Sequence, residues 1–279
     1  MIKISVNNFN LKETITCGQI FRYEVNDDNS YTVVIKDRVI KLWYKDNILY
    51  VDSNNQDNLK EVVEDYLDLK RDYEKIDNEL IDKNPDLNDV IKYCSGLKMI
   101  QQDPFETLIS YIISANNRVP MISKVVNNIA YTYGKKVVFD DKDYYLFPSA
   151  LDMKSCTKEV LRNLKTGFRD EYIYDVVNRI LSGEFNLDNI ENMDSYSALE
   201  YLKTNKGIGD KVASCILLFA YSRFDVYPID TWVKKYMKDN FNIDGINEIK
   251  KYSKQYYGDY SGLVIQYMFN YSRNLKKAD

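Results

Sequence analysis

Lys211 opens a helical pattern directly after Gly207-Ile208-Gly209-Asp210, and Asp230 lies nineteen residues further on in Tyr227-Pro228-Ile229-Asp230-Thr231-Trp232. A lysine amine attacks electrophilic carbon and forms imines. A carboxylate held beside it stabilises the positive charge that develops during the attack. The spacing allows the two to meet. A helix over 211–222 rises about 18 Å, and an extended 223–229 spans roughly 23 Å. That is enough to return Asp230 to the level of Lys211. Each residue also has a plainer reading: Lys211 as a surface lysine or phosphate contact, Asp230 as a helix N-cap.

No histidine occurs among the 279 residues. Ser-His-Asp, Cys-His and His-ligated-metal chemistry are therefore excluded. The cysteines, Cys17, Cys94, Cys156 and Cys215, are scattered and form no C-x-x-C pair. That spacing argues against a zinc ribbon or an iron–sulfur loop and reads as a reduced, intracellular chain. No catalytic metal and no cofactor is expected. No apolar run approaches the ~18–20 residues of a transmembrane helix, and the N-terminal MIKISVNNFNLKE lacks a signal-peptide core. A cytoplasmic location is expected.

Gly207-Ile208-Gly209 stands between two helical patterns. Glycines permit a tight turn and close approach of a ligand. The first amides of the following helix are unpaired and can hold a phosphate. The segment reads either as an ordinary helix–helix turn or, with Lys206 at its edge, as a sequence-independent grip on a nucleic-acid backbone. The net charge of −4 disfavours a polyanion partner, but it divides into −5 over 1–98, −3 over 99–205 and +4 over 206–279. The basic C-terminal quarter is where a polyanion would dock.

The elements that must position these residues fall into two parts. Residues 31–51, YTVVIKDRVIKLWYKDNILYV, alternate β-branched and aromatic runs with polar breaks, the pattern of an antiparallel meander. A helical pattern follows over 59–69. From Met99 the periodicity is helical. Asp103-Pro104-Phe105-Glu106 combines an N-cap, a first-turn proline and a capping-box glutamate, and Phe105, Leu108, Ile109, Ile112 and Ile113 recur at core-helix spacing. Further helices are predicted near 121–133, 158–164, 170–182, 195–203, 211–222, 230–240, 246–256 and 261–275. The reading is an α+β protein: an antiparallel sheet region with helices over 1–98 and a mainly helical region over 99–279, with the hairpin at 204–212. A cleft between the parts would be the natural ligand site.

The run Gly207-Ile208-Gly209-Asp210-Lys211-Val212-Ala213-Ser214-Cys215, followed by Pro228-Ile229-Asp230, resembles the helix-hairpin-helix/Gly-Pro-Asp superfamily of DNA glycosylases. Within it, the chain resembles the 8-oxoguanine DNA glycosylases with AP-lyase activity, of bacterial type. Cys17-Gly18-Gln19-Ile20-Phe21-Arg22, Asp103 to Asn117, Thr166-Gly167-Phe168-Arg169 and Tyr260-Ser261-Gly262 through Phe269 resemble further family landmarks, in family order. The resemblance implies a TBP-like sheet domain before the glycosylase core. It also implies a base flipped out of duplex DNA, Lys211 as the nucleophile at C1′, and Asp230 as the carboxylate that stabilises oxocarbenium-like charge. Imine formation then permits β-elimination and a strand nick.

The resemblance places the base pocket at Gly18, whose carbonyl would accept from N7–H of the oxidised purine, and at Cys215 and Phe269, which would sandwich the base. Gly18 also reads as a turn glycine and Phe269 as a core aromatic. Asn116, Asn117 and Arg118 would serve the vacated site and the estranged base, or cap a helix. Phe168 would fill the gap, or join the core, and Arg169 would contact the opposite base.

Four positions depart from the eukaryotic pattern. The glutamine for the Watson–Crick edge falls on Ile265, with Gln266 its neighbour. The arginine that enforces cytosine falls on Met121, and the wedge tyrosine on Phe168, which together imply weak opposite-base discrimination. A histidine after the catalytic aspartate falls on Trp232, so its phosphate contact is lost or replaced. The implied activity is excision of 8-oxoguanine from double-stranded DNA followed by strand cleavage, by a monomer without a membrane partner. The alternatives are a glycosylase of the same superfamily for another damaged base, and a non-catalytic helix-hairpin-helix DNA-binding protein.

Overall fold

A computed structural model describes residues 1–275. Five antiparallel strands, β1 (Ile2–Ser5), β2 (Tyr23–Val25), β3 (Tyr31–Ile35), β4 (Arg38–Lys45) and β5 (Ile48–Ser53), form a sheet in the order β1-β5-β4-β3-β2. The β4–β5 turn places Asp46 and Asn47 at positive φ, the geometry a two-residue hairpin requires. It pairs Leu42 with Val51. Alternation along β5 turns Leu49 and Val51 inward. They pack with Ile40, Leu42 and the buried face of a helix, Leu59, Val63 and Tyr66.

Thirteen α-helices occur among the described residues. α1 (Leu11–Thr16) lies between β1 and β2, and α2 (Leu59–Tyr66), α3 (Tyr73–Lys83) and α4 (Asn88–Tyr93) follow the sheet. Then come α5 (Pro104–Ser114), α6 (Val119–Tyr133), α7 (Lys158–Asn163), α8 (Asp170–Leu181) and α9 (Ser195–Lys203). The last four are α10 (Asp210–Tyr221), α11 (Thr231–Phe241), α12 (Ile246–Tyr256) and α13 (Ser261–Leu275). The α+β reading holds. No helix among the described residues is long and apolar enough to cross a membrane.

Within the mainly helical region, residues 136–145, between two predicted helices, form a hairpin of β6 (Lys136–Phe139) and β7 (Lys142–Tyr145), with Asp140 and Asp141 at positive φ. Phe139 and Tyr144 pack on Val39 of the sheet. Helices α3 and α4, assigned with the sheet by a division at residue 98, bury Ile76, Leu80, Val90 and Ile91 in the same core as the later helices.

The start of α5 follows its local chemistry. Asp103 accepts from the amides of Phe105 (3.0 Å) and Glu106 (2.9 Å), and Pro104 occupies the first turn. Glu106 does not complete the capping box through its side chain. Its carboxylate turns instead to Arg22 at 3.3 Å. Thr107 to Ser114 are all buried, so α5 is the central rod against which α10 packs.

Candidate active site

The helix-hairpin-helix is α9, residues 204–209 and α10. Gly207 has a φ of +81°, and a Cβ there would lie 2.3 Å from the ring of Tyr172. The turn therefore needs glycine twice over, for its backbone and for Tyr172. Gly209 differs. Its φ of −100° suits any residue, and a Cβ would meet nothing within 4 Å. No packing inside the protein requires that glycine, which leaves the start of α10 open on its outer side. Asp210 accepts from Lys250 at 2.6 Å and pairs with Lys203 at 2.9 Å, tying α9 and α12 to the start of α10. Lys206 is exposed and turns to Asp175 at 3.9 Å.

Lys211 is half-buried on the first turn of α10. Its Nζ stands 5.7 Å from the ring centroid of Tyr111 on α5. Asp230 caps α11, its Oδ1 accepting from the Val233 amide at 2.9 Å, and the Trp232 amide also faces the carboxylate. Burial raises the Asp230 pKa, against the lowering pull of these amides and of Lys211. Lys211 and Asp230 both act on the Cys215 thiol, whose pKa burial raises; it is a neutral, fully packed side chain. The three residues thus form one electrostatic group.

The return of the chain from α10 to Asp230 is clamped by α13. The Gly262 amide donates to the Phe224 carbonyl at 2.6 Å. A Cβ on Gly262 would lie 3.0 Å from that oxygen and 3.2 Å from the Val226 carbonyl.

Gly18, at a φ of +94°, faces the other end of the chain. A Cβ there would lie 3.2 Å from Phe269 Cε1. Gln19 holds the turn. It is fully buried, its amide donates to the carbonyls of Thr14 (2.7 Å) and Lys98 (2.9 Å), and its Oε1 accepts from the Ile100 amide (2.8 Å). The Tyr111 hydroxyl donates to the Gln19 carbonyl at 3.3 Å. Tyr111 therefore joins the two halves of the site, with its ring toward Lys211 and its hydroxyl on the Gly18 turn. Its sequence context, inside an apolar helix, gave no sign of this.

Ile265 lies in the core, 1% exposed. It is Gln266, one residue on, that reaches the turn, with Nε2 3.5 Å from the Cys17 carbonyl and 3.6 Å from its sulfur.

Two loops flank the site. Asn116 is exposed at a φ of +52°. Asn117 donates to the Ile113 carbonyl at 3.2 Å and so caps α5. Arg118, Met121 and Phe168 are exposed. Arg169 is buried, and its guanidinium donates to the carbonyls of Ala115, Asn116 and Thr166. It braces the Asn116 loop rather than reaching outward. The Phe168 ring meets Tyr172 edge-on at 6.0 Å, so Phe168 and the Gly207 turn share one aromatic support.

The cleft between sheet and helices is not this site. A cavity of about 340 Å³ there is lined by Arg22, Tyr66, Gln102 and Glu106, among others, and neither Lys211 nor Asp230 reaches it.

A sheet-plus-helices fold with a lysine at the start of the second hairpin helix and an aspartate capping the helix that follows it is the arrangement of a DNA glycosylase of the helix-hairpin-helix type. Residues 1–108 match the family model of the 8-oxoguanine DNA glycosylase N-terminal domain. The chain is 30% identical over 243 residues to a probable N-glycosylase/DNA lyase of Methanothermobacter thermautotrophicus, covering 78% of this chain and 76% of that one. It therefore belongs to the 8-oxoguanine DNA glycosylase family of N-glycosylase/DNA lyases. The fold matches that of the Clostridium acetobutylicum 8-oxoguanine glycosylase/lyase in complex with double-stranded DNA carrying cytosine opposite 8-oxoguanine. The TM-score is 0.93 at 33% identity over 99% of each chain. A 3-methyladenine DNA glycosylase from Archaeoglobus fulgidus shares the fold at a TM-score of 0.83 and 20% identity, so the fold alone does not select the base.

The two hairpin glycines separate stability from binding. Gly207→Ala is expected to lower the melting temperature, because Tyr172 and a positive φ both oppose a Cβ. Gly209→Ala is expected to cost no more than about 1 kcal/mol, as an N-cap change, yet to weaken duplex binding roughly tenfold. Melting and duplex titration check both, and wild-type affinity in Gly209→Ala would remove the backbone-approach reading.

Proposed function

We propose that the chain excises 8-oxoguanine from duplex DNA and then nicks the strand at the resulting abasic site. The observation that carries this is that Lys211, Asp230 and Cys215 act on one another electrostatically, while Lys211 stands over the ring of Tyr111, whose hydroxyl also holds the Gly18 turn. The Lys211 nitrogen bonds to C1′ as the bond from C1′ to the base breaks, its electron pair leaving with the base. Opening of the sugar then gives an imine. Removal of a C2′ proton sends its C–H electron pair toward the imine, and the C3′–O bond then breaks with its electrons leaving on the 3′ phosphate. Asp230, ionised and fixed by two backbone amides, stabilises the positive charge at C1′. The flipped base lies between Cys215 and Phe269 with its N7–H toward the Gly18 carbonyl. Gln266 acts by holding the turn that presents that carbonyl. Lys206, Gly207, Gly209 and Trp232 contact the backbone. Asn116, Asn117, Arg118 and Phe168 occupy the gap, and Arg169 keeps that loop in place. The enzyme works as a monomer on the nucleoid in the cytoplasm, without a cofactor.

Single-turnover cleavage of duplexes carrying 8-oxoguanine opposite each of the four bases tests the reading. Base release with a borohydride-trapped adduct is expected. DNA binding without release would move the protein to another lesion or to a binding role. The same series tests the opposite base. Met121 is exposed and has no donor for cytosine, so the rates opposite C and A should agree within several-fold. A strong preference for C would overturn the assignment of Met121.

A further inference from the structure

We propose that Arg273 is a positioning residue that sets the width of the base pocket, and with it the rate of base excision. The inference deepens the proposed activity and rests on it.

One face of α13 carries Gln266, Phe269, Asn270 and Arg273, residues spaced to lie along a single stripe. Three of these are polar and all three reach the α1 segment. Gln266 lies on Cys17, Asn270 donates to the Glu13 carboxylate at 2.7 Å, and Arg273 Nη2 donates to the Thr16 carbonyl at 2.7 Å. The fourth, Phe269, is the pocket wall. The stripe thus fastens one wall, on α13, to the other, the Gly18 turn.

Within the stripe, Arg273 has the closest hold on both walls. Its guanidinium carbon lies 5.3 Å from the Phe269 ring centroid. Its Nη1 lies 2.7 Å from the point where a Gly18 Cβ would stand, and Phe269 Cε1 lies 3.2 Å from the same point. Gly18 is therefore glycine for two reasons, its positive φ and the guanidinium packed against it. Among the described residues Arg273 Nε is buried without a hydrogen-bond partner. A buried N–H left unpaired is costly, so hydrogen bonding alone does not account for where this group lies. Contact with Phe269 and Gly18 does. A planar cation suits that place because it stacks on the ring and donates at its edge in one rigid unit.

The role predicts that the two activities come apart. Excision needs both walls at the right spacing, and a misplacement of about 1 Å costs on the order of 10²-fold. Cleavage of a preformed abasic site needs Lys211 but has no base to seat. Arg273→Ala should slow single-turnover release of 8-oxoguanine by roughly 10- to 100-fold. It should leave cleavage of an abasic duplex within about twofold of wild type. Arg273→Lys keeps a donor but not the plane and should retain most of the defect. It also decides the question if the alanine variant does not fold. Parallel losses of excision and abasic cleavage in the folded lysine variant would reduce Arg273 to a general stabiliser and overturn the proposal, as would wild-type excision in either variant. Absence of 8-oxoguanine release by the wild-type enzyme is a different result. It removes the proposed activity itself and this role with it.

Discussion

Lys211→Gln is expected to abolish covalent trapping and to slow base release on the order of 10⁴-fold or more, the scale of losing a nucleophile while binding and electrostatics remain. Glutamine has no amine to form the imine, so the borohydride adduct should vanish rather than diminish. The protein should stay folded. Lys211 is half-buried and its Nζ stands 5.7 Å from the Tyr111 centroid, an interaction of about 0.5–1 kcal/mol at such a site. Duplex affinity should persist because Gly209 and the α10 amides remain. A trapped adduct in the variant would move the nucleophile to another amine.

Asp230→Asn is expected to lose roughly 10²–10³-fold in excision, as for other groups that stabilise transition-state charge, with no loss of stability. The carboxylate has two jobs that the substitution separates. Asparagine caps a helix as well as aspartate does, so the bond to the Val233 amide survives. The charge does not. Burial raises the Asp230 pKa, so the native state holds this proton more tightly than the unfolded chain. Ionised Asp230 therefore costs stability above its folded pKa, and that cost disappears as pH falls toward the ordinary carboxylate value. The asparagine variant should melt at or above the wild-type temperature at neutral pH, with the gap closing in acid. Wild-type excision should also fall in acid as Asp230 takes up its proton, at a pH raised by burial relative to an exposed aspartate. A variant that melts lower and keeps its activity would make the residue a cap and nothing more.

What the sequence made legible follows a physical division. The helices from 158 onward lie within one or two residues of where periodicity and caps put them, because each is amphipathic around a shared core. The hairpin at 136–145 was hidden by a helical surround, although Asp140-Asp141 between β-branched and aromatic pairs carried a turn signal. Of the site, Lys211 and Asp230 could be argued from chemistry and spacing, and the pocket walls only from resemblance. The residues that hold the walls were not legible. Gln19, Tyr111 and Arg273 act through contacts between distant parts of the chain, 79 residues for Gln19 to Lys98 and 257 for Arg273 to Thr16. No local pattern encodes such pairings. Arg169 shows the same limit from the other side. Its motif suggested outward contact, and its guanidinium is bonded to the carbonyls of a neighbouring loop.

The fastening of α13 onto α1 bears on how the protein comes into being. A chain emerging from the ribosome exposes the Gly18 turn early, and then Lys211 and Asp230, before Phe269 has been made. Until α13 docks on α1, Lys211 and Asp230 are in the chain but the Phe269 side of the Gly18 turn is open. On the proposed function, discrimination between damaged and sound bases therefore waits on that docking, after the residues proposed for the chemistry have been made. That discrimination is also the first property to be lost if α13 frays.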